Sequence, residues 1–352
     1  MSEAIPDNIR VSLAKSDRDA YFEQLLFVRS PFGTAVTTLC ILGFLVATLA
    51  LALLLSGNAM ASGGGVLANP HAPAGLWLCL LAATVLGMQR YARSGDRRDI
   101  GSFVIALDGD WRAAADITEL TPRGAPLASA SLLGIGGGLL ASWLLYVAPN
   151  DNLRSQPALL GWFVLLTTLI FASFFRGVVL TRTGSESFQR TLSAMTIDLL
   201  RVDRLAVIGR AAARIALIWF TIGAVTLLAF VGGGVTILTL AFMLCCIAMG
   251  AWSFIGTMER VHRRILAAKR AELERIRDRI DELRRNMHED AEAATKLQGA
   301  LAYEARIAAV HEWPFDQPTL LRVGASALIL TVPWFGQAIA GVVVDRLGSL
   351  MH

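Results

Sequence analysis

The sulfur-bearing side chains are the first in this sequence that could do chemistry. Met243, Cys245, Cys246, Met249 and Met258 crowd one stretch, and thioether with thiolate is the soft ligand set that selects Cu(I). Neighbours on a helix point about 100° apart, however, so Cys245 and Cys246 make an awkward joint site. All four cysteines (Cys40, Cys79, Cys245, Cys246) lie in apolar runs and read as small hydrophobes, not as a disulfide framework. His71, His262, His288 and His311 are scattered and show no zinc spacing. Asp108-Gly109-Asp110 could resemble a metal-nucleotide element, but two carboxylates around a glycine mark a turn more readily. No Walker loop, Gly-x-Ser-x-Gly or His-Glu-x-x-His occurs. The expectation is no catalytic residue, no cofactor and no metal.

Two features keep a functional reading. Gly134, Gly136, Gly137 and Gly138 fall in one apolar run, and small residues at four-residue spacing let helices approach closely. Pore lining or a flexible gating point is the sharper alternative. Arg176 follows Phe174-Phe175 at the end of another apolar run. It reads either as a cation reaching back to the membrane surface or as an anion-attracting residue at a cytoplasmic pore mouth.

The elements that carry these residues follow from composition. The chain has 352 residues, 55% of them hydrophobic and only 17% charged, with mean hydropathy +0.55, whereas about 25% charged residues is usual for a soluble domain. Crossing the hydrocarbon takes about 20 mostly apolar residues. Six runs qualify: Thr34–Leu55, Ala72–Met88, Leu127–Val147, Pro157–Leu180, Ala213–Val231 and Val235–Gly256. None has an interior Asp or Glu. A seventh, Val323–Val344, is long enough but interrupted by Pro333, Gly336 and Gln337; it either crosses or dips in and returns. Ala59-Met60-Ala61 resembles a cleavage site, but the charged leader and apolar run before it are both too long for a signal peptide.

Sidedness follows from Lys and Arg. They gather in the arm ending at Arg29 and in segments 89–126, 176–214 and 257–322, whereas 56–71 and 232–234 have none and 148–156 has only Arg154. The positive-inside rule then places the N-terminus and every basic segment in the cytoplasm of a bacterial-type inner membrane. The net charge of +4 has this cause, and no nucleic-acid partner is implied.

The expected fold is all-α. A cytoplasmic amphipathic arm (1–33) precedes a transmembrane bundle (34–256) of three helical hairpins with cytoplasmic segments 89–126 and 181–212. A cytoplasmic helical hairpin (257–311) and a Trp/Pro linker with the C-terminal membrane segment (312–352) follow. In the hairpin, Leu266, Leu273, Ile280 and Met287 recur at seven-residue spacing, with Ile276 and Leu283 between them. That is a coiled-coil-like seam, broken at Lys269. Its first arm, about 30 residues long, would reach roughly 45 Å if straight. The return arm satisfies the seam either alone or together with neighbouring subunits. Trp313, Pro314 and Pro318 form an interfacial anchor or a hinge to the last segment, whose own break is Pro333.

Acid-free spans, a glycine-rich helix and the hairpin lead to an expected function in three readings. First comes a homo-oligomeric channel or pore with a hairpin for assembly or gating. Second is a membrane scaffold or sensor whose segment 257–311 docks a cytoplasmic protein. Third is a small-solute transporter, weakened by the lack of charge inside the spans. The lipid bilayer is a partner in all three.

Overall fold

The structure, a computed structural model, describes residues 26–27, 29–56, 69–111, 113–114, 125–194, 198–229, 236–286 and 291–313. The N-terminal arm before Leu26, Met287, Pro314, Pro318, Pro333 and the seventh apolar run lie outside these residues. The described residues are helical, with no strand among them. The helices are α1 (Thr34–Leu55), α2 (Ala72–Ala106), α3 (Ala125–Ser142), α4 (Asp151–Arg154), α5 (Pro157–Ala194), α6 (Ala206–Leu227), α7 (Ile237–Asn286) and α8 (Ala291–Ala308). A π-helical turn, Trp143–Val147, extends α3, and a 3-10 segment, Leu199–Leu205, leads into α6.

Six helical stretches are long and apolar enough to cross a membrane. This is the build of a multi-pass membrane protein. Large apolar side chains such as Leu39, Phe44, Leu132, Leu133 and Leu165 face outward along them, as a lipid-facing surface requires and an aqueous one penalises. Helix α2 is central and packs on α1, α5 and α6, while α5 also packs on α3. Consecutive crossing helices pair: α1 with α2, α3 with α5, α6 with α7.

Several helices run well past their apolar parts. Helix α2 opens with Pro73 in its first turn, where no N–H partner is lost. It then continues through Arg90, Arg93 and Arg97 to Ala106, where Asp108 and Gly109, both at positive φ (51° and 91°), turn the chain. Asp110 Oδ1 accepts from the Ala113 N–H at 3.1 Å, so this Asp-Gly-Asp element is a turn that starts the next helical residues. Helix α7 is one run of 50 residues with no proline, about 75 Å long at 1.5 Å per residue.

These extensions build a second core. The first, at the level of the apolar runs, gathers Leu49, Leu53, Leu78, Leu159, Phe163, Leu166, Phe174 and Trp219. The second gathers Ile100, Phe103 and Val104 of α2, Leu199 and Leu205, Val207 and Ile208 of α6, Val261, Ile265, Ile276 and Ile280 of α7, and Ile307 of α8. It lies beyond the end of the bundle that carries the arginines, called here the basic end; the opposite, bare end carries Ser56 and Asn150.

Helix α8 packs on α7. Arg277 pairs with Glu304 at 2.9 Å, the Tyr303 hydroxyl donates to Glu272 at 3.3 Å, and Lys269 reaches Val310 and Glu312. From Lys269 at Val310 to Arg277 at Glu304, rising numbers on α7 meet falling numbers on the returning chain. Ile276, Ile280 and Leu283 are buried and Leu273 is partly so. Nearer the bundle, Ile265 is fully buried and Leu266 only half-buried. The reason is a change of neighbour: there α7 packs on α6 and the 3-10 segment, and one residue turns a helix face by about 100°.

Candidate functional site: two cavities and an aromatic septum

At the basic end, a cavity of about 130 Å³ opens between α2, α5 and α6. Each helix contributes one stripe at three- and four-residue spacing: Val85, Gln89, Ala92, Arg93 and Asp96 from α2; Ser173, Phe174, Gly177, Leu180, Thr181 and Gly184 from α5; Ile215, Ile218, Trp219 and Ile222 from α6. The composition is graded along α2. Apolar and aromatic side chains line the deep part, while Gln89, Arg93 and Asp96 line the mouth.

Hydrogen bonds fix the wall. Trp219 Nε1 donates to Thr181 Oγ1 at 3.3 Å, and that hydroxyl donates to the Gly177 carbonyl at 2.9 Å. Gln89 Nε2 donates to the Ser173 carbonyl at 3.1 Å. Arg176 donates from Nη2 to Ser173 Oγ at 3.2 Å, so it stands beside this cavity on a residue that lines it. Phe174 meets Trp219 edge-on, centroids 5.3 Å apart.

Behind the mouth lies an ion triad that joins α2 to α6. Arg214 Nη2 is 2.5 Å from Asp99 and 3.6 Å from Asp96, with only 10% of its side chain exposed. The guanidinium lies over the backbone of α2 at Gly95: a Cβ there would stand 1.6 Å from Arg214 Nη1. Glycine is what makes the crossing possible. Two carboxylates share one cation here, and burial strengthens both the attraction and the penalty for losing a partner.

A second cavity, about 30 Å³, sits nearer the bare end, lined among others by Trp77, Leu81, Tyr146, Thr167, Thr226, Thr239 and Phe242. Its polar atoms are engaged. Trp77 Nε1 donates to the Val225 carbonyl at 2.9 Å, Thr167 Oγ1 donates to Tyr146 OH at 3.4 Å, and Thr226 Oγ1 donates to the Ile222 carbonyl at 2.8 Å.

Between the cavities stands a cluster of rings. Phe174 of the first wall lies 4.6 Å from Phe242 of the second, and Phe242 lies 5.7 Å from Phe171. Both cavities are bounded by α2, α5 and α6, so they occupy one side of the bundle in series.

The glycines singled out in the sequence stand elsewhere. A Cβ on Gly134 would lie 2.5 Å from Ala172 Cα, and one on Gly138 2.6 Å from Thr168 Cα; both sit where the backbones of α3 and α5 touch. Gly137 faces the rings of Phe171 and Phe175 at ordinary contact distance, and Gly136 faces open space. Among the described residues, no cluster of His, Cys, Asp and Glu could hold a metal ion.

Lys269, which breaks the apolar seam, donates from Nζ to the Val310 carbonyl at 2.9 Å and pairs with Glu312 at 3.3 Å. It thereby binds the chain just past the C-terminus of α8, where a cation also meets the helix dipole. Trp313 stacks on His262, centroids 4.3 Å apart and planes 11° from parallel. His262 Nδ1 lies 3.0 Å from the Glu312 carbonyl.

Neither the cavity residues nor the triad emerges from sequence reading alone. The available signal was the four-residue spacing of Val85, Gln89 and Arg93, which continues the face of α2 into the charged segment. Comparison with protein-family models, with curated proteins and with solved structures finds no match to this chain.

Proposed function

We propose that the protein is a channel or pore-type protein of a bacterial-type inner membrane, and that the solute route runs inside one chain between α2, α5, α6 and α7. The observation that carries this reading is the pair of cavities in series, separated by the Phe174–Phe242 contact. Ring against ring is a closed state, and side-chain rotation or a small helix shift would join the two spaces. A lining shared between subunits along the glycine face of α3 has less support, since Gly134 and Gly138 are occupied by α5. The distribution of Lys and Arg supports a cytoplasmic position for the basic end, with its larger cavity and the α7–α8 arm. The arm is a handle on the route, because α7 carries Phe242 at one end and the seam at the other.

The test is passage itself. Purified protein in planar bilayers or sealed proteoliposomes should pass small solutes or current under tension, voltage or a gradient. A folded protein that stays tight under all of these, with the septum rings both present and removed, overturns the proposal.

A second reading, a scaffold whose arm docks a soluble partner, is favoured by the outward flank of α7. There Arg279 with Glu282 is an exposed pair on a helix longer than a connecting loop needs. Deleting 266–301 separates the two: loss of a cytoplasmic partner with passage unchanged supports docking.

A further inference from the structure

We infer that the basic-end cavity binds a small zwitterion with one apolar side group, the chemistry of an amino acid with an aromatic or branched aliphatic side chain. The inference names the solute class of the route proposed above and rests on that reading. Size comes first. The cavity measures about 130 Å³, close to the roughly 150 Å³ of an apolar cavity that accepts a benzene ring. One ring or one branched aliphatic group against Phe174, Trp219 and Ile222 takes up most of this space, leaving the ionic groups at the mouth.

Charge comes second. The mouth presents both signs on one face of α2, with Arg93 and Asp96 three residues apart and Gln89 one turn deeper. Residues at that spacing are about 5–6 Å apart at Cβ, which suits two ionic groups borne on one carbon. A guanidinium has five donors in a fork that matches a carboxylate, so Arg93 can receive one beside its existing partners. Asp96 is the acceptor for an ammonium. Arg214 spends its 2.5 Å contact on Asp99 and stays 3.6 Å from Asp96, so the triad holds Asp96 in place without claiming its full capacity.

A ligand of single charge fits worse, because it makes only one of the two ionic contacts that a zwitterion makes with Arg93 and Asp96. That difference gives the test. Full-length protein in detergent is examined by equilibrium dialysis with L-phenylalanine and L-leucine, and with 3-phenylpropanoate and 2-phenylethylammonium, which keep the ring but lack one ionic group. The expected result is saturable binding of at least one amino acid. Loss of either ionic group should weaken it by roughly tenfold or more, the equivalent of one charge-assisted hydrogen bond. Asp96→Asn and Arg93→Gln should each remove the preference for the zwitterion over the matching single-charge probe.

Equal binding of the zwitterion and either single-charge probe overturns the inference. So does the absence of saturable amino-acid binding to a folded protein. The head-group series uses the unaltered chain, so it decides even where a variant does not fold. Binding in detergent involves no passage, so binding without flux sinks the route and keeps the site, while flux without binding does the reverse.

Discussion

The rings of Phe174 and Phe242 lie 4.6 Å apart, and each belongs to the wall of a different cavity. A barrier made of two side chains from two helices can be removed without touching any hydrogen bond. Phe242→Ala is therefore expected to raise passive solute uptake into proteoliposomes by about tenfold or more, which corresponds to about 1.4 kcal/mol off the barrier. The basic-end cavity should keep the amino-acid affinity inferred for it. Uptake equal to that of the unaltered protein would show that the barrier lies elsewhere.

Arg214 sits between Asp96 and Asp99 with almost no exposure. Replacing it with Met leaves two carboxylates without their shared cation, an effect of about 3–5 kcal/mol for a buried pair. Adding Asp96→Asn and Asp99→Asn should recover much of the loss, which a thermal unfolding series in detergent reads as non-additivity. Additive losses would mean the triad does not act as a unit.

Gly95→Ala tests the same crossing from the backbone side. The added methyl overlaps the guanidinium and forces Arg214 off α2, at a cost of about 1–3 kcal/mol for overpacking. Gly101→Ala, on the same helix with nothing within 4 Å of its Cβ, is expected to be neutral or slightly stabilising.

At the α3–α5 contact, the two glycines flanking one helical turn, Gly134 and Gly138, behave unlike Gly136 between them. Gly138→Ile should lower the unfolding temperature sharply, because its Cβ falls 2.6 Å from Thr168 Cα. Gly136→Ile should leave it nearly unchanged. Similar shifts for both would remove the argument for close approach at Gly138.

Lys269→Met removes the donor to Val310 and the partner of Glu312. Hydrogen exchange at 305–313 is expected to quicken, with a local loss of about 1.5–3 kcal/mol, the range for hydrogen bonds to charged groups. The α1–α6 region should keep its protection.

The sequence shows the membrane helices plainly, because the bilayer demands about 20 apolar residues whatever the fold. All six runs, from Thr34 to Gly256, fall on helices that could cross. What it hides is which side of each run faces inward. The apolar stretches around Phe174 in α5 and Phe242 in α7 have little polar contrast to reveal their buried side, so these rings look like any lipid-facing phenylalanine. The triad is hidden for a different reason. Asp99 and Arg214 are 115 residues apart; Asp99 sits in a stretch that reads as a solvated basic loop and Arg214 at the edge of an apolar run, and only the continuation of α2 past Met88 brings them together. Lys269 reads as a defect in the seam until Val310 is seen beside it.

The unbroken length of α7 sets a mechanical ratio. From Thr257 outward the helix extends about 45 Å, and from Thr257 inward to Phe242 it spans about 22 Å. Treated as a stiff rod pivoting near Thr257, it turns a sideways pull of about 4 Å at the tip into a swing of about 5° and carries Phe242 about 2 Å. For rings in contact with centroids 4.6 Å apart, a displacement of about 2 Å is enough to part them. A modest tug on the arm is thus transmitted to the septum at half amplitude and with doubled force.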